Sequence, residues 1–151
     1  MKIFSLLGIL IFTGYLSACS SAPDAVDYQG HPIVVNHYRG KWVMINYWAS
    51  WCEPCLKELP DLNRLYQRYP EKVIVLGVNY DGEDADQLKL FAEKHSLSFP
   101  LLSHFPSEKW GLEEVSVLPM TLIIDPEGHF KTVLKGPHTE KEFEAIVKAN
   151  E

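Results

Sequence analysis

Residues 48–55 read Trp-Ala-Ser-Trp-Cys-Glu-Pro-Cys, and this stretch decides how the rest of the chain is interpreted. It follows a nearly continuous apolar run over 42–48, which is typical of a central strand buried on both faces. After it, leucines recur at helical spacing as far as about Tyr69, and Pro54 suits the first helical turn because its missing N–H would be unpaired there. The sequence therefore predicts a Cys-X-X-Cys pair at the point where a buried strand ends and a helix begins.

This position suggests a chemical role for the two cysteines. The first-turn N–H groups and the dipole of a helix favour an anion, so they lower the pKa of a thiol placed there. We predict that Cys52 is the nucleophile and that Cys55, one turn later, is the resolving thiol that attacks a mixed disulfide. Glu53 adds a negative charge that raises the pKa of the Cys52 thiol. The same charge stabilises the disulfide relative to the dithiol, which favours a reductant.

The remaining pattern predicts one α/β domain. The chain has 151 residues with 46% apolar content, enough for one core but too short for two ordinary domains. Strands and helices alternate, so we expect a mixed sheet with a parallel part and a hairpin, flanked by helices. The other predicted elements are strands at 33–35, 73–80, 120–124 and 131–134, a turn at 81–84, and helices at 85–95 and 139–149.

The first residues have the layout of a signal peptide. Lys2 gives a positive start, residues 3–16 are mostly apolar, and small residues precede Cys19. A transmembrane helix is the alternative, but it needs about 20 apolar residues. The segment Leu-Ser-Ala-Cys at 16–19 resembles the lipobox of bacterial lipoproteins, which implies that residues 1–18 are removed and that Cys19 is acylated. Residues 19–26 would then form a lipidated tether and 27–151 the domain.

The cysteine count fits this assignment. Three cysteines leave an odd one, and lipidation of Cys19 leaves the single pair Cys52 and Cys55 in a compartment where disulfides persist. A zinc site is the alternative, but the chain has no second cysteine pair and no closely spaced histidine pair. We therefore predict no metal and no cofactor besides the redox-active disulfide. The net charge of −6 gives no indication of nucleic-acid binding.

Residues 48–55 resemble the active site of the thioredoxin superfamily, in particular its membrane-tethered, extracytoplasmic branch of ResA, TlpA and DsbE type proteins. Further landmarks occur in the expected order: Tyr-Arg-Gly-Lys-Trp at 38–42, Trp-Gly-Leu at 110–112, Val-Leu-Pro-Met-Thr at 117–121 and Ile-Asp-Pro-Glu-Gly at 124–128. The resemblance covers essentially all of 27–151. It implies a thioredoxin-like fold and a thiol-disulfide oxidoreductase.

The resemblance also assigns a substrate site. Pro119 would form a cis peptide bond facing the two cysteines, although an ordinary proline at an edge strand is the alternative. The Leu118 backbone would then pair with an extended substrate segment. Together with Trp51, Glu53 and Pro54 around the cysteines, these residues are the predicted substrate-binding set. Trp51 is alternatively a core residue or a hydrophobic cover over the disulfide.

One departure from thioredoxins proper concerns proton transfer. Those proteins carry a buried aspartate where this chain has Asn46, which cannot accept a proton. Glu58 lies one helical turn after Cys55 and matches a glutamate of the ResA-type proteins. We predict that Glu58 is the base that deprotonates Cys55. The alternative is a solvated helix glutamate.

The leading functional hypothesis is a reductase of exported cysteine-containing proteins, with apocytochrome c as one candidate substrate and a membrane thiol-disulfide protein as electron donor. It would be lipid-anchored in the cell envelope and face the periplasm or extracytoplasmic space. A disulfide-introducing oxidase is the first alternative, because potentials in the superfamily span roughly −270 to −120 mV. A Sco-type copper metallochaperone and a peroxidase fit less well, since the three-residue cysteine spacer and the threonine-rich motif are absent.

Overall fold

The computed structural model describes residues 22–149, and its centre is a five-stranded mixed sheet flanked by three helices. The strands are β1 Ala25–Val26, β2 Pro32–Ile33, β3 Trp42–Trp48, β4 Val73–Asn79, β5 Leu101–Leu102, β6 Met120–Ile124 and β7 Phe130–Lys135. The helices are α1 Glu53–Arg68, α2 Ala85–His95 and α3 Glu140–Lys148. The predicted single thioredoxin-like α/β domain is confirmed.

The central sheet has the order β5-β4-β3-β6-β7. Strands β3, β4 and β5 run parallel, whereas β6 is antiparallel to both β3 and β7. This is the predicted combination of a parallel part and a hairpin. A separate two-stranded ribbon is formed by β1 and β2.

Strand β3 lies in the middle of the sheet, and all seven of its residues are buried. Because successive side chains point to opposite faces, Met44 and Trp48 belong to the apolar cluster that also contains residues of all three helices. Ile45 and Tyr47 belong to the cluster on the other face, with Phe105. Packing on both faces therefore fixes the carboxyl end of β3, from which residues 49–52 lead to the cysteines.

Helix α1 begins directly after this strand. The Cys52 N–H donates to the Ala49 carbonyl at 3.1 Å, and Cys52 is the N-cap residue. Leu59, Leu62 and Leu65 are buried in the cluster beneath the sheet, which fixes the helix axis. The local sequence and the packing thus place the two cysteines at the first turn of a firmly anchored helix.

The fold begins slightly earlier than the predicted boundary at residue 27. The Asp24 N–H donates to the Ile33 carbonyl at 2.7 Å, and its carboxylate accepts from the Val35 N–H at 2.9 Å. The predicted strand at 33–35 also shifts, because β2 ends at Ile33 and a 3₁₀ turn starts at Val35. The last three residues of the predicted tether, 24–26, therefore take part in the fold.

The predicted signal peptide and Cys19 lie outside the described residues. Among residues 22–149, the helices are too short and too polar for any of them to cross a bilayer.

Candidate active site

Cys52 and Cys55 form a disulfide, with Cα atoms 5.3 Å apart. The two sulfurs differ in access. Cys55 is fully buried, whereas Cys52 is 5% exposed and lines an open groove. Only the Cys52 side can be approached by a partner, which is what the predicted roles of nucleophile and resolving thiol require.

The start of helix α1 provides an anion site for Cys52. Its Sγ accepts a hydrogen bond from the Cys55 N–H at 3.3 Å, in the manner of an N-cap side chain. A thiolate at this position gains from the same N–H group and from the positive end of the helix dipole. The helix N-terminus, taken alone, therefore favours ionisation of Cys52 in the reduced protein.

The groove beside the disulfide has a volume of about 420 Å³ and is mostly apolar. We call it the disulfide groove; it is lined by Trp51–Pro54, Tyr80 and Val115–Leu118. Trp51 is 66% exposed and Tyr80 is 53% exposed. Large apolar side chains left in solvent around a reactive centre are typical of a binding surface. Trp51 is therefore not a core residue, whereas Trp48 is fully buried.

Each predicted substrate-binding residue lies in this groove except Pro119, which is buried behind it. The Leu118–Pro119 peptide bond is cis, as expected. Met120, the first residue of β6, pairs with Tyr47 of β3, and this register brings Leu118 to the end of the sheet that carries the cysteines. Within residues 22–149 the Leu118 backbone makes no hydrogen bond. It is free to pair with an extended segment.

Sequence reasoning missed a set of contacts that fix the loop before the cysteines. The Trp51 indole N–H donates to Asp81 at 2.7 Å, and the Ser50 hydroxyl donates to Glu83 at 3.0 Å. The Glu83 N–H in turn donates to the Asn79 side chain at 3.1 Å. We call Asp81 and Glu83 the acidic brace. Residues 81–84 had been predicted only as a turn, although parallel pairing of β3 and β4 places the ends of both strands side by side.

Glu58 is only 2% exposed, so it is not a solvated helix glutamate. Its carboxylate accepts hydrogen bonds from the Asn46 side chain and from the His138 N–H, each at 2.8 Å. The Asn46 amide also donates to the Thr121 hydroxyl at 2.9 Å. We call these four residues the buried polar cluster. No local sequence signal indicated His138, which lies 80 residues from Glu58.

Burial raises the pKa of Glu58 from 4.5 to about 7. The hydrogen bonds from His138 and Asn46 stabilise the carboxylate and oppose this shift. A carboxyl group with a pKa near neutrality can both take and return a proton at physiological pH, as a general base must. The catalytic role of Glu58 stays a prediction, but its environment suits that role.

Glu53 has a different environment. It is exposed, and its carboxylate pairs with Lys57 at 2.7 Å. Hydrogen bonding and charge attraction from Lys57 lower the pKa of Glu53, so this residue is ionised next to the cysteines.

Within residues 22–149, no three His, Cys, Asp or Glu side chains are grouped to hold a metal ion.

Residues 20–133 match the AhpC/TSA family. The chain belongs to this family. It is similar to the thiol-disulfide oxidoreductase ResA of Geobacillus kaustophilus, with 34% identity over 153 residues that cover 95% of this chain and 87% of the relative.

Two solved structures agree with the architecture. The exposed lipoprotein thioredoxin Etrx1 of Streptococcus pneumoniae has a TM-score of 0.66 at 26% identity, over 83% of this chain and 96% of that one. A DsbF homologue of Corynebacterium diphtheriae has a TM-score of 0.73 at 20% identity, over 94% and 99%. With its relatives and its cysteine pair, this AhpC/TSA protein is a thiol-disulfide oxidoreductase.

Proposed function

We propose that this protein is a lipid-anchored, extracytoplasmic reductase of disulfides in exported proteins, with apocytochrome c as a candidate substrate. The observation that carries the direction of electron flow is the acidic surrounding of the disulfide. Glu53 lies between the cysteines, the acidic brace lies beside Trp51, and the residues lining the disulfide groove include no lysine or arginine. Negative charge disfavours a thiolate and therefore stabilises the disulfide relative to the dithiol.

One opposing effect comes from the helix N-terminus, which stabilises a thiolate at Cys52. Such an interaction contributes about 0.3–1 kcal/mol at an exposed site and up to ~2 kcal/mol at a partly buried one. Several carboxylates oppose it, although solvent and Lys57 screen the exposed ones. We infer that the carboxylates outweigh the helix dipole and that the protein is a reductant.

The proposed reaction follows from the two environments. The Cys52 thiolate of the dithiol form attacks a substrate disulfide, forms a mixed disulfide and releases one substrate thiolate. The Cys55 thiol gives its proton to the Glu58 carboxylate and attacks the Cys52 sulfur. This step releases the second substrate thiol and leaves the Cys52–Cys55 disulfide described above. A membrane dithiol protein then returns two electrons.

The reduction potential tests this direction. Equilibration of the pair with a glutathione buffer is expected to give a value near the −270 mV end of the superfamily range of roughly −270 to −120 mV. A value near −120 mV would instead identify an oxidase. Tight binding of Cu(I) by the dithiol form, with little disulfide-reducing activity, would identify a metallochaperone.

The lipobox at 16–19 supports the anchor, and a similar protein of solved structure is an exposed lipoprotein. Several acyl chains on Cys19 would make membrane attachment effectively permanent. Fatty-acid labelling in a bacterial host is expected to follow the wild type and to disappear in Cys19→Ala. Label that persists in this variant would contradict the anchor, whatever the redox activity of the domain.

A further inference from the structure

A second pocket, of about 390 Å³, adjoins the disulfide groove. The two cavities share Tyr80 and Val115 as lining residues. Because the same two side chains line both cavities, a polypeptide bound with its cysteine at Cys52 can reach the second pocket with a neighbouring side chain. We call this second cavity the acidic pocket because of the charges described next.

Three carboxylates surround the acidic pocket: Glu108, Glu113 and Glu114, all of them exposed. Within residues 22–149 none of the three makes an ion pair. The neighbouring cation, Lys109, instead donates to Asp24 at 3.0 Å. The mouth of the pocket therefore carries negative charge that the described part of the chain leaves uncompensated.

The wall of the acidic pocket contains a buried hydroxyl without a partner. Tyr47 is 5% exposed, and its OH makes no hydrogen bond within the described residues. The Ser107 side chain interacts with the Tyr47 OH but lies outside normal hydrogen-bond geometry, and its own hydroxyl donates to the Leu112 carbonyl at 3.1 Å. An unpaired buried hydroxyl is unfavourable, and its oxygen can accept from a donor that enters the pocket. This observation is independent of the carboxylates.

We propose that the acidic pocket binds the side chain of a lysine or arginine that lies close to the target cysteine in the substrate polypeptide. The proposal rests on the proposed function as a disulfide reductase and adds a substrate class to it. The cation would neutralise the carboxylates, and one of its N–H groups would donate to the Tyr47 oxygen. The aliphatic stem of the same side chain would pack on the apolar wall formed by Val115 and Phe105.

Paired peptides test the proposal. Each peptide carries one cysteine as a mixed disulfide with mercaptoethanol, and either lysine or norleucine is placed from about one to about five residues away on either side, at about 3.3 Å per extended residue. The second-order rate constant for release of the peptide thiol by the dithiol protein is measured. We expect lysine to increase it about three- to tenfold at one or more positions. This preference should shrink at 1 M salt, where the Debye length is about 3 Å.

Variants locate the preference. Glu113→Gln with Glu114→Gln is expected to bring the ratio of lysine to norleucine rates close to one, and Tyr47→Phe to reduce it. The matched control is Glu93→Gln with Glu127→Gln, which removes the same charge from exposed positions on α2 and in the β6–β7 turn. The control should keep the wild-type ratio.

The outcomes are distinct. A ratio of one at every position in the wild type, or a preference that survives Glu113→Gln with Glu114→Gln, overturns the acidic pocket as a lysine or arginine site. Failure to reduce even the neutral bis(2-hydroxyethyl) disulfide would instead overturn the proposed reductase function. If Tyr47→Phe does not fold, the exposed glutamates still decide the question.

Discussion

Cys52 faces an open groove with exposed aromatic side chains, whereas Cys55 is closed off from solvent, one helical turn from the buried polar cluster around Glu58. The groove is lined by side chains from three separate segments of the chain, and it is open to a partner. In the cluster, both carboxylate oxygens of Glu58 have donors within the chain, and only the Asn46 Oδ1 atom lacks a partner among the described residues. The comparison suggests that partner recognition is organised on one side of the disulfide and proton transfer on the other.

The sharpest way to break this division is to remove each sulfur in turn. In Cys55→Ser, Cys52 can still attack a substrate disulfide, but no resolving thiol can release the substrate. Mixed disulfides with substrate proteins should therefore accumulate. Cys52→Ser should accumulate none, because Cys55 is fully buried. Multiple turnover should vanish in both variants. Trapping is measured as adducts on non-reducing gels after acid quenching. Equal trapping by the two variants would show that both sulfurs reach substrate.

The next largest effect is expected from Glu58→Gln, which keeps the shape and removes the base. General-base catalysis typically contributes about 10²- to 10⁴-fold, so resolution of the mixed disulfide should slow by about that factor. In the wild type the rate should rise as pH passes about 7, where Glu58 loses its proton. The variant should lack that rise. Stopped-flow measurement of the resolution step from pH 5 to pH 9 tests both statements, with Glu93→Gln as an exposed control.

A result in which Glu58→Gln resolves mixed disulfides at the wild-type rate would place the proton acceptor elsewhere. The buried polar cluster would then serve only to join β3, α1 and the segment before α3.

The sequence predicted the disulfide groove and the buried polar cluster to different extents. Strand β3 could be predicted from the apolar run at 42–48, all of which is buried in the structure, and α2 from the turn at 81–84 that precedes it. Part of the disulfide groove could be predicted, from residues near the cysteines and from the cis-proline segment, but its wall at Tyr80 and Val115 could not. The buried polar cluster could be predicted only at Asn46 and Glu58. Its contact with the His138 backbone joins positions 80 residues apart, and no local pattern encodes such a pairing.

A smaller effect concerns stability, and its sign follows from the raised pKa of Glu58. Between pH 4.5 and about 7, the folded protein keeps a proton that the unfolded chain has released, so stability falls as pH rises through this window. The contribution lost is on the order of 3 kcal/mol. Urea unfolding of the oxidised protein should show a steeper decline for the wild type than for Glu58→Gln. Parallel pH profiles would mean that the carboxyl group is not desolvated in the folded state.

The smallest effect is expected from substitutions in the acidic brace, which lies beside the disulfide groove. Asp81→Ala removes the acceptor of the Trp51 indole N–H, a contact of 2.7 Å in an exposed position. A hydrogen bond of this kind contributes about 0.5–1.5 kcal/mol, which is roughly a two- to tenfold change. If the bond orients Trp51 toward substrate, this change should appear in KM for an unfolded, disulfide-containing protein and leave kcat nearly unchanged. Trp51→Phe, which keeps a ring without a donor, should show the same pattern.

Asp81→Asn separates orientation from charge, because the amide oxygen can still accept from Trp51 while the negative charge is lost. It should restore KM toward the wild-type value. The reduction potential should shift to a less negative value in both Asp81 variants, since each removes a charge that disfavours the Cys52 thiolate. If Asp81→Ala changed the potential but not KM, Asp81 would act on the cysteines through its charge alone. The groove would then recognise substrate without a fixed Trp51, and recognition would depend on the Leu118 backbone and the apolar lining.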